Sequence, residues 1–401
     1  DWDTTPKTAT FSAVSGNGYF VNTTAGVITV NLPAGVAGAI VSLADYAATW
    51  QTNNVTVAPN GTDKIGSLNE NATLDVEGQS VTFVYVDSTQ GWINTMDSTS
   101  NVRGLPPFVE ATGGTITCSG DYKIHTFTGP GTFTVTNAGT PAGSNTVDYL
   151  VVAGGGGGGG SVSGTGGGAG GGGAGGYRES SGVASGSYTV SPLGACVSAL
   201  PVTASPYPIT VGGGGGGNSA SPGTDGSNSV FSTITSTGGG GAGSRGPSDP
   251  DGDGRPGGSG GGAGHGTTGS PHPGGTGNTP PVSPPQGQNA ANFPSGGYYA
   301  GGGGGAGAAA TNANGANGAT SSINATPTAR AGGGGGASSS GAGTGGTGGG
   351  GNGDSGNGVT APSGTSNTGG GGGGSGNASS SPNIPGGAGG SGIVIIRYKF
   401  Q

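Results

Sequence analysis

The residues best suited to chemistry are acidic and few. Asp249, Asp251 and Asp253 alternate in Asp249-Pro-Asp251-Gly-Asp253-Gly254, and hard oxygens at alternate positions suit Ca²⁺. The position that closes such a loop falls on Gly260 rather than a bidentate Glu, and Pro256 stands where an apolar residue is usual. A solvated acidic turn is therefore the competing reading. The three histidines, His125, His265 and His272, join no triad and no pair of carboxylates. Strand alternation makes His125 a solvated strand residue rather than a base. Matches to GxGxxG abound by composition alone and lack a strand-to-helix context. A non-enzymatic role is expected. Cys118 and Cys196 lie in different segments and read equally as a bridge or as two buried thiols.

Recognition chemistry is better represented. Phe293, Tyr298 and Tyr299 follow the proline-rich stretch 279–286 (TPPVSPPQ), His272 is flanked by prolines, and Arg245 and Arg255 stand alone among glycines. Aromatics and isolated cations on a rigid frame make good contact residues for sugars or protein loops. Packing against the adjacent chain is the alternative for each aromatic.

What must hold these residues is unusual. Of 104 glycines only 17 precede residue 154, and the rest lie between Gly154 and Gly392, where eight uninterrupted runs of four or more occur. Such runs offer no side chain to pack and lose the most backbone freedom on folding. Collagen needs glycine strictly at every third place, which long runs break. A flexible coil remains open, as does a set of extended helices with three residues per turn whose bare backbones bond to one another, the polyglycine II lattice. Short apolar segments at 187–190, 207–211, 230–235 and Ile323 favour the lattice, because a tether has no use for packing anchors. So does the bracketing of the block by VDYLVV (147–152) and IVIIRYKF (393–400), strands prone to aggregate unless paired.

The expected fold is all-β N-terminal modules followed by a polyglycine II-type lattice inserted between β-strands, with almost no α-helix. Residues 1–103 read as a sandwich- or barrel-like module from short runs rich in Val, Ile, Thr and aromatics. Trp50 and Trp92 cap its core or stack on a ligand. Residues 104–109 form a stiff linker and 110–153 a β base. The glycine-rich block covers 154–391, and 392–401 closes the base. Runs of about ten residues would span roughly 30 Å, so side-chain-rich excursions alternate between base and tip. On that alternation 244–259 and 265–300 fall at opposite ends, with the aromatic-bearing one outermost and its prolines disturbing the lattice.

Composition limits the partners. The net charge is −8 and no basic patch exists, which speaks against nucleic acid. No stretch reaches the length of a membrane span, and Asp1–Thr5 are neither a signal nor a targeting sequence. The start without Met reads as trimmed, with export by processing or by assembly into a particle released on lysis. Asn22, Asn54, Asn60, Asn71, Asn324 and Asn377 sit in glycosylation sequons, frequent enough to arise by chance.

The ensemble YKIHTFT…GTFTV…VDYLVVAGGGGGG…SVFSTITSTGGGG…GGAGGSGIVIIRY resembles the glycine-rich domain of bacteriophage tail-fibre and other virion-surface proteins, over about residues 110–399. The segment FSAVSGNGYFVNTT…ITVNLPAG…VYVDSTQGW resembles β-modules of phage fibres. The resemblance implies an attachment protein at the virion surface or in the extracellular space. Loops on a polyglycine II sandwich would touch a host receptor, protein or polysaccharide, and fibre subunits would join as a homo-oligomer such as a trimer. A purely structural subunit of a filament or virion decoration is the alternative. No cofactor is implied beyond the calcium reading.

Overall fold

Glycine run 154–160 sets the architecture of the larger part of this computed structural model. The structure describes residues 1–98, 108–141, 143–162, 167–186, 188–194, 197–245, 251–265, 271–293, 299–338, 341–356, 359–377 and 383–401. Asp1–Pro106 and Pro107–Gln401 are separate units. The chain is all-β; among the described residues the helical ones are two single 3-10 turns, Val183–Ser185 and Pro192–Gly194.

In the first unit the chain alternates between two sheets. Trp2–Lys7, Asn17–Val21, Ile40–Asp45, Ser80–Tyr85 and Trp92–Asp97 form one, and Phe11–Ser12, Ile28–Asn31, Val55–Ala58 and Ala72–Leu74 the other. The first three strands of each sheet pair in parallel. Parallel pairing follows from winding between layers, since each strand returns to its own sheet only after a strand in the other. Trp50 and Trp92 are fully buried in the shared core, and Trp50 Nε1 donates to the Val21 carbonyl. Burial removes the ligand-stacking reading.

Two antiparallel sheets build the base of the second unit. Thr146–Val152 lies beside the closing strand Ile393–Lys399, which also pairs with Tyr122–Phe127; Val152 and Ile393 are register partners. The two ends of the glycine-rich block therefore lie side by side. Both faces of this sheet are covered, which explains the continuous apolar runs. Val147, Tyr149 and Val151 pack toward the second sheet with Phe133 and Phe231. Leu150 and Val152 pack toward Ala174, Ala306, Ala331 and Ile323 of the glycine-rich block. The segment 230–235 is a hairpin rather than one strand: Ser232 turns at φ 53 and Ile234 pairs back on Phe231.

Run 154–160 then leaves the sheet. Gly154, Gly157 and Gly160 donate to the carbonyls of Ser227, Thr224 and Ser221; Gly155 and Gly158 to Gly390 and Gly387; Gly156 and Gly159 to Gly173 and Gly170, all at 2.8–3.1 Å. Partners fall by three as donors rise by three, so these neighbours run antiparallel. The carbonyls of Gly154, Gly157 and Gly160 accept from Gly239, Ala242 and Arg245, those of Gly156 and Gly159 from Gly372 and Ser375, and that of Gly155 from Gly215. Six segments surround one run, and each direction recurs every third residue. That is the period of an extended helix with three residues per turn.

Side chains are excluded by this spacing. A Cβ at Gly156, Gly158 or Gly159 would meet the carbonyl oxygen of Gly240, Gly373 or Gly243 closer than the 3.0 Å that real Cβ atoms keep. Run 212–217 lies at an edge: a Cβ at Gly213 has nothing within 4 Å, and one at Gly216 meets only Thr224 Oγ1 at 3.6 Å, whereas one at Gly214 overlaps the carbonyl of Gly389. The Gly213 and Gly216 backbones are not left-handed.

The periodic exposure generates a test. Gly214→Ala should destabilise by about 1–3 kcal/mol through overpacking, and Gly214→Leu more. Gly213→Ala and Gly216→Ala should be neutral or stabilising by about 0.4–1 kcal/mol through the unfolded chain. Denaturant midpoints decide, and equal tolerance at all three positions would mean that the run is a loose coil.

Candidate functional site

The runs carry the chain to and from one end of the block, away from the base sheets. Arg245 N–H donates to Gly160, His265 N–H to Gly168, Gly264 N–H to Gly252, and Phe293 N–H to His272. These bonds put the candidates from both excursions at the same level, which corrects the expected opposite placement. The reason is that each excursion contains further runs. Residues 251–259 return antiparallel to 238–245, with Ser244 donating to Asp251 and Gly258 to Gly238. Residues 271–277 and 288–293 are likewise bonded, Gly275 donating to Gly261 and Ala290 to Gly275. Proline-rich 279–286 lies at the base end without disturbing them; Asn278 Oδ1 accepts from Val282 and Gln286 N–H, and Gln286 C=O accepts from Tyr177 N–H.

The far-end candidates differ in accessibility. Phe293 is 1% exposed, with its ring 4.7 Å from that of His265. Arg245 is buried, its Nη1 is 3.3 Å from His265 Nδ1, and burial lowers its pKa. His272 is buried, with Nδ1 2.8 Å from Asp253 Oδ1. All three are buried, and His272 and Phe293 also line an open groove. Tyr299, at 52% exposed, is accessible. Arg255 lies farther toward the base, half-exposed and 4.0 Å from Asp225. Tyr298 and Asp249 lie outside the described residues, as does Cys196. Asp253 is engaged by His272, and no group of three or more potential metal ligands occurs among the described residues. Cys118 carries a free, exposed thiol.

His125 is not solvated. Its Nδ1 donates to the Gly113 carbonyl at 2.7 Å, and its Nε2 accepts from the Tyr398 hydroxyl at 3.0 Å. The ring lies against Phe133 and Tyr398, and burial lowers its pKa. The two-sided covering of the sheet overrode the alternation argument. Two buried carboxylates tie the base to the glycine-rich block. Asp148 accepts from Ser180 Oγ and Ser185 N–H at 2.7 Å. Glu179 accepts from Ser191 and from Ser321, a residue far along the chain; burial raises its pKa despite these donors.

The sequence held a signal that composition masks. Asp225/Asn228 (DGSN), Asn289/Asn292 (NAAN) and Asn314/Asn317 (NGAN) share a three-residue spacing. Their Oδ1 atoms accept from Gly241/Gly238, Gly277/Gly274 and Thr344/Thr347 at 2.8–3.1 Å. Side-chain oxygens thus close backbone donors at the edges of the block, where no further run bonds to them. The period of the pairs is that of the runs.

Residues 127–399 match a family model described as a glycine-rich domain. No curated protein matches the chain.

Two measurements follow from these placements. Phe293→Ala should cost about 3–5 kcal/mol as a buried aromatic truncation, whereas Tyr299→Ala should stay within about 0.5 kcal/mol of the parent; comparable losses would refute the division into frame and surface. For His125 the folded pKa lies below the ordinary 6.5, so the unfolded chain binds the extra proton. Its contribution is full above 6.5, is lost as pH falls through the folded pKa, and levels off below it. His125→Gln, which keeps a donor and an acceptor, should remove that part of the slope in a comparison of melting temperature against pH.

Proposed function

This chain belongs to the glycine-rich domain family, and on that premise we propose that it is a virion-surface attachment protein, a tail-fibre or adhesin subunit of a phage. One observation carries the reading: runs bonded through their backbones bring Arg245, His265, His272 and Phe293 from distant sequence to one level, with Tyr299 exposed there. A frame of this kind supplies rigidity without chemical identity, so recognition falls to side chains at its ends and edges. The three-residue period of the hydrogen bonds supports a polyglycine II-type lattice as that frame. The expected partner is a host-surface receptor, with closed symmetric assembly of subunits.

The structural-subunit reading has its own support. Gly213 and Gly216 leave bare backbone on an edge run, where another extended chain could approach as closely as the runs approach each other. Adsorption separates the two readings. Isolated protein should bind host bacteria saturably and be displaced by an excess of unlabelled protein; binding that is absent or never saturates would favour the architectural role.

A further inference from the structure

Two open grooves, of about 740 and 390 Å³, adjoin the far-end cluster and share Asn292 and Thr311 as a common ridge. Pro271 and Pro273 rim the first over a floor of Ala290, Ala291 and Ala310. The second presents Tyr299, Asn312 and Asn314 above Ala300 and Gly301. Among the described lining residues none is Asp, Glu, Lys or Arg. The one titratable ring in the first groove, His272, is already engaged by Asp253.

We propose that this double groove binds a neutral oligosaccharide segment laid along the ridge, an inference that deepens the attachment reading by naming the receptor's chemistry. The volumes fall within the ~300–1,000 Å³ of small-molecule sites. The floor is a shelf of alanine and glycine. It offers flat apolar contact to the C–H faces of sugar rings, and Tyr299 adds a ring and a hydroxyl.

The polar groups are fixed in advance. Asn292 Oδ1 accepts from Gly274 N–H and Asn312 Oδ1 from Asn314 N–H, both at 2.8 Å. Each amide is thereby oriented, and its NH₂ is the donor not spent on the frame. Preorganised donors bind hydroxyl oxygens without the cost of ordering a loop. An uncharged lining on a chain of net charge −8 disfavours acidic glycans. A protein loop would need a deep apolar or charged anchor site, and the large apolar residue here, Phe293, is already buried.

The test titrates the full chain with maltohexaose, cellohexaose, mannohexaose and chitohexaose, and with an oligogalacturonate as the acidic comparison, followed by saturation-transfer NMR. Saturable binding of at least one neutral hexasaccharide and none of the acidic one is expected. Tyr299→Ala and Asn292→Asp should each weaken binding about tenfold, a loss of about 1.4 kcal/mol. Asn292→Asp keeps the oxygen that Gly274 needs while exchanging the NH₂ donor for a charged acceptor oxygen at this exposed position, so its melting temperature should match the parent's. Failure of all four neutral probes, equal binding of the acidic one, or binding indifferent to both variants would overturn the inference. Saturable adsorption to cells that survives periodate but not protease treatment would do the same, pointing to a protein receptor. Adsorption without sugar binding would leave the attachment reading standing; sugar binding without adsorption would leave the groove standing and remove that reading.

Discussion

A backbone without side chains must still satisfy every N–H and C=O that it buries, and in this chain that requirement is met sideways. Gly154 to Gly160 donate in three directions in turn, so each run needs neighbours on all sides. Orphaned buried amides cost free energy comparable to a lost hydrogen bond. The block therefore forms as a bundle of mutually bonded runs. The same requirement explains why glycine is needed: the carbonyls that accept these bonds occupy the places where Cβ atoms would stand.

Ordering so many glycines is costly in entropy, and the base sheets offset part of that cost. Pairing of Val152 with Ile393 fixes both ends of the block in one register. Apolar side chains on the block-facing side of the sheet meet alanines that replace glycine where space allows, among them Ala174, Ala306 and Ala331. Buried Glu179 reaches Ser321 on the hairpin of Ala319–Ser321 and Thr328–Arg330, and Arg397 on the closing strand donates to Ile323 C=O. Apolar packing and buried side-chain hydrogen bonds hold the base, and backbone bonds hold what stands on it.

The candidate site is a by-product of this construction. Turns between runs can vary in sequence at little cost to the frame, because the frame bonds through atoms that every residue has. Residues buried at the far end, such as His272 on Asp253 and Phe293 on His265, hold the last layer in place. Exposed ones, such as Tyr299 and Asn292, define the surface. Asparagine and aspartate side chains at three-residue spacing close the outer donors, an edge treatment comparable to the protection of exposed strands in ordinary sheets.

Residue pattern alone is enough to assign the class of the fold. Glycine runs exclude an oil-packed core, the apolar strands at 147–152 and 393–400 require pairing, and the absence of helix-forming segments leaves an all-β base. It also contained the period of three in DGSN, NAAN and NGAN, legible once the runs are known to bond with that period. Accessibility, by contrast, depends on how the runs pack against one another. Phe293, His272 and Arg245 look like contact residues in a glycine-rich context, yet they are buried, because neighbouring runs enclose positions that the local sequence shows only as flanked by glycine and proline. His125 is buried for the same reason, by a second layer that alternation along one strand cannot reveal. Counting excursions failed to place the ends because 251–259 and 271–277 carry enough side chains to look like loops while bonding as runs. Local pattern specifies which backbones can approach one another; which ones do, and what they cover, is fixed by bonds between residues far apart in the chain.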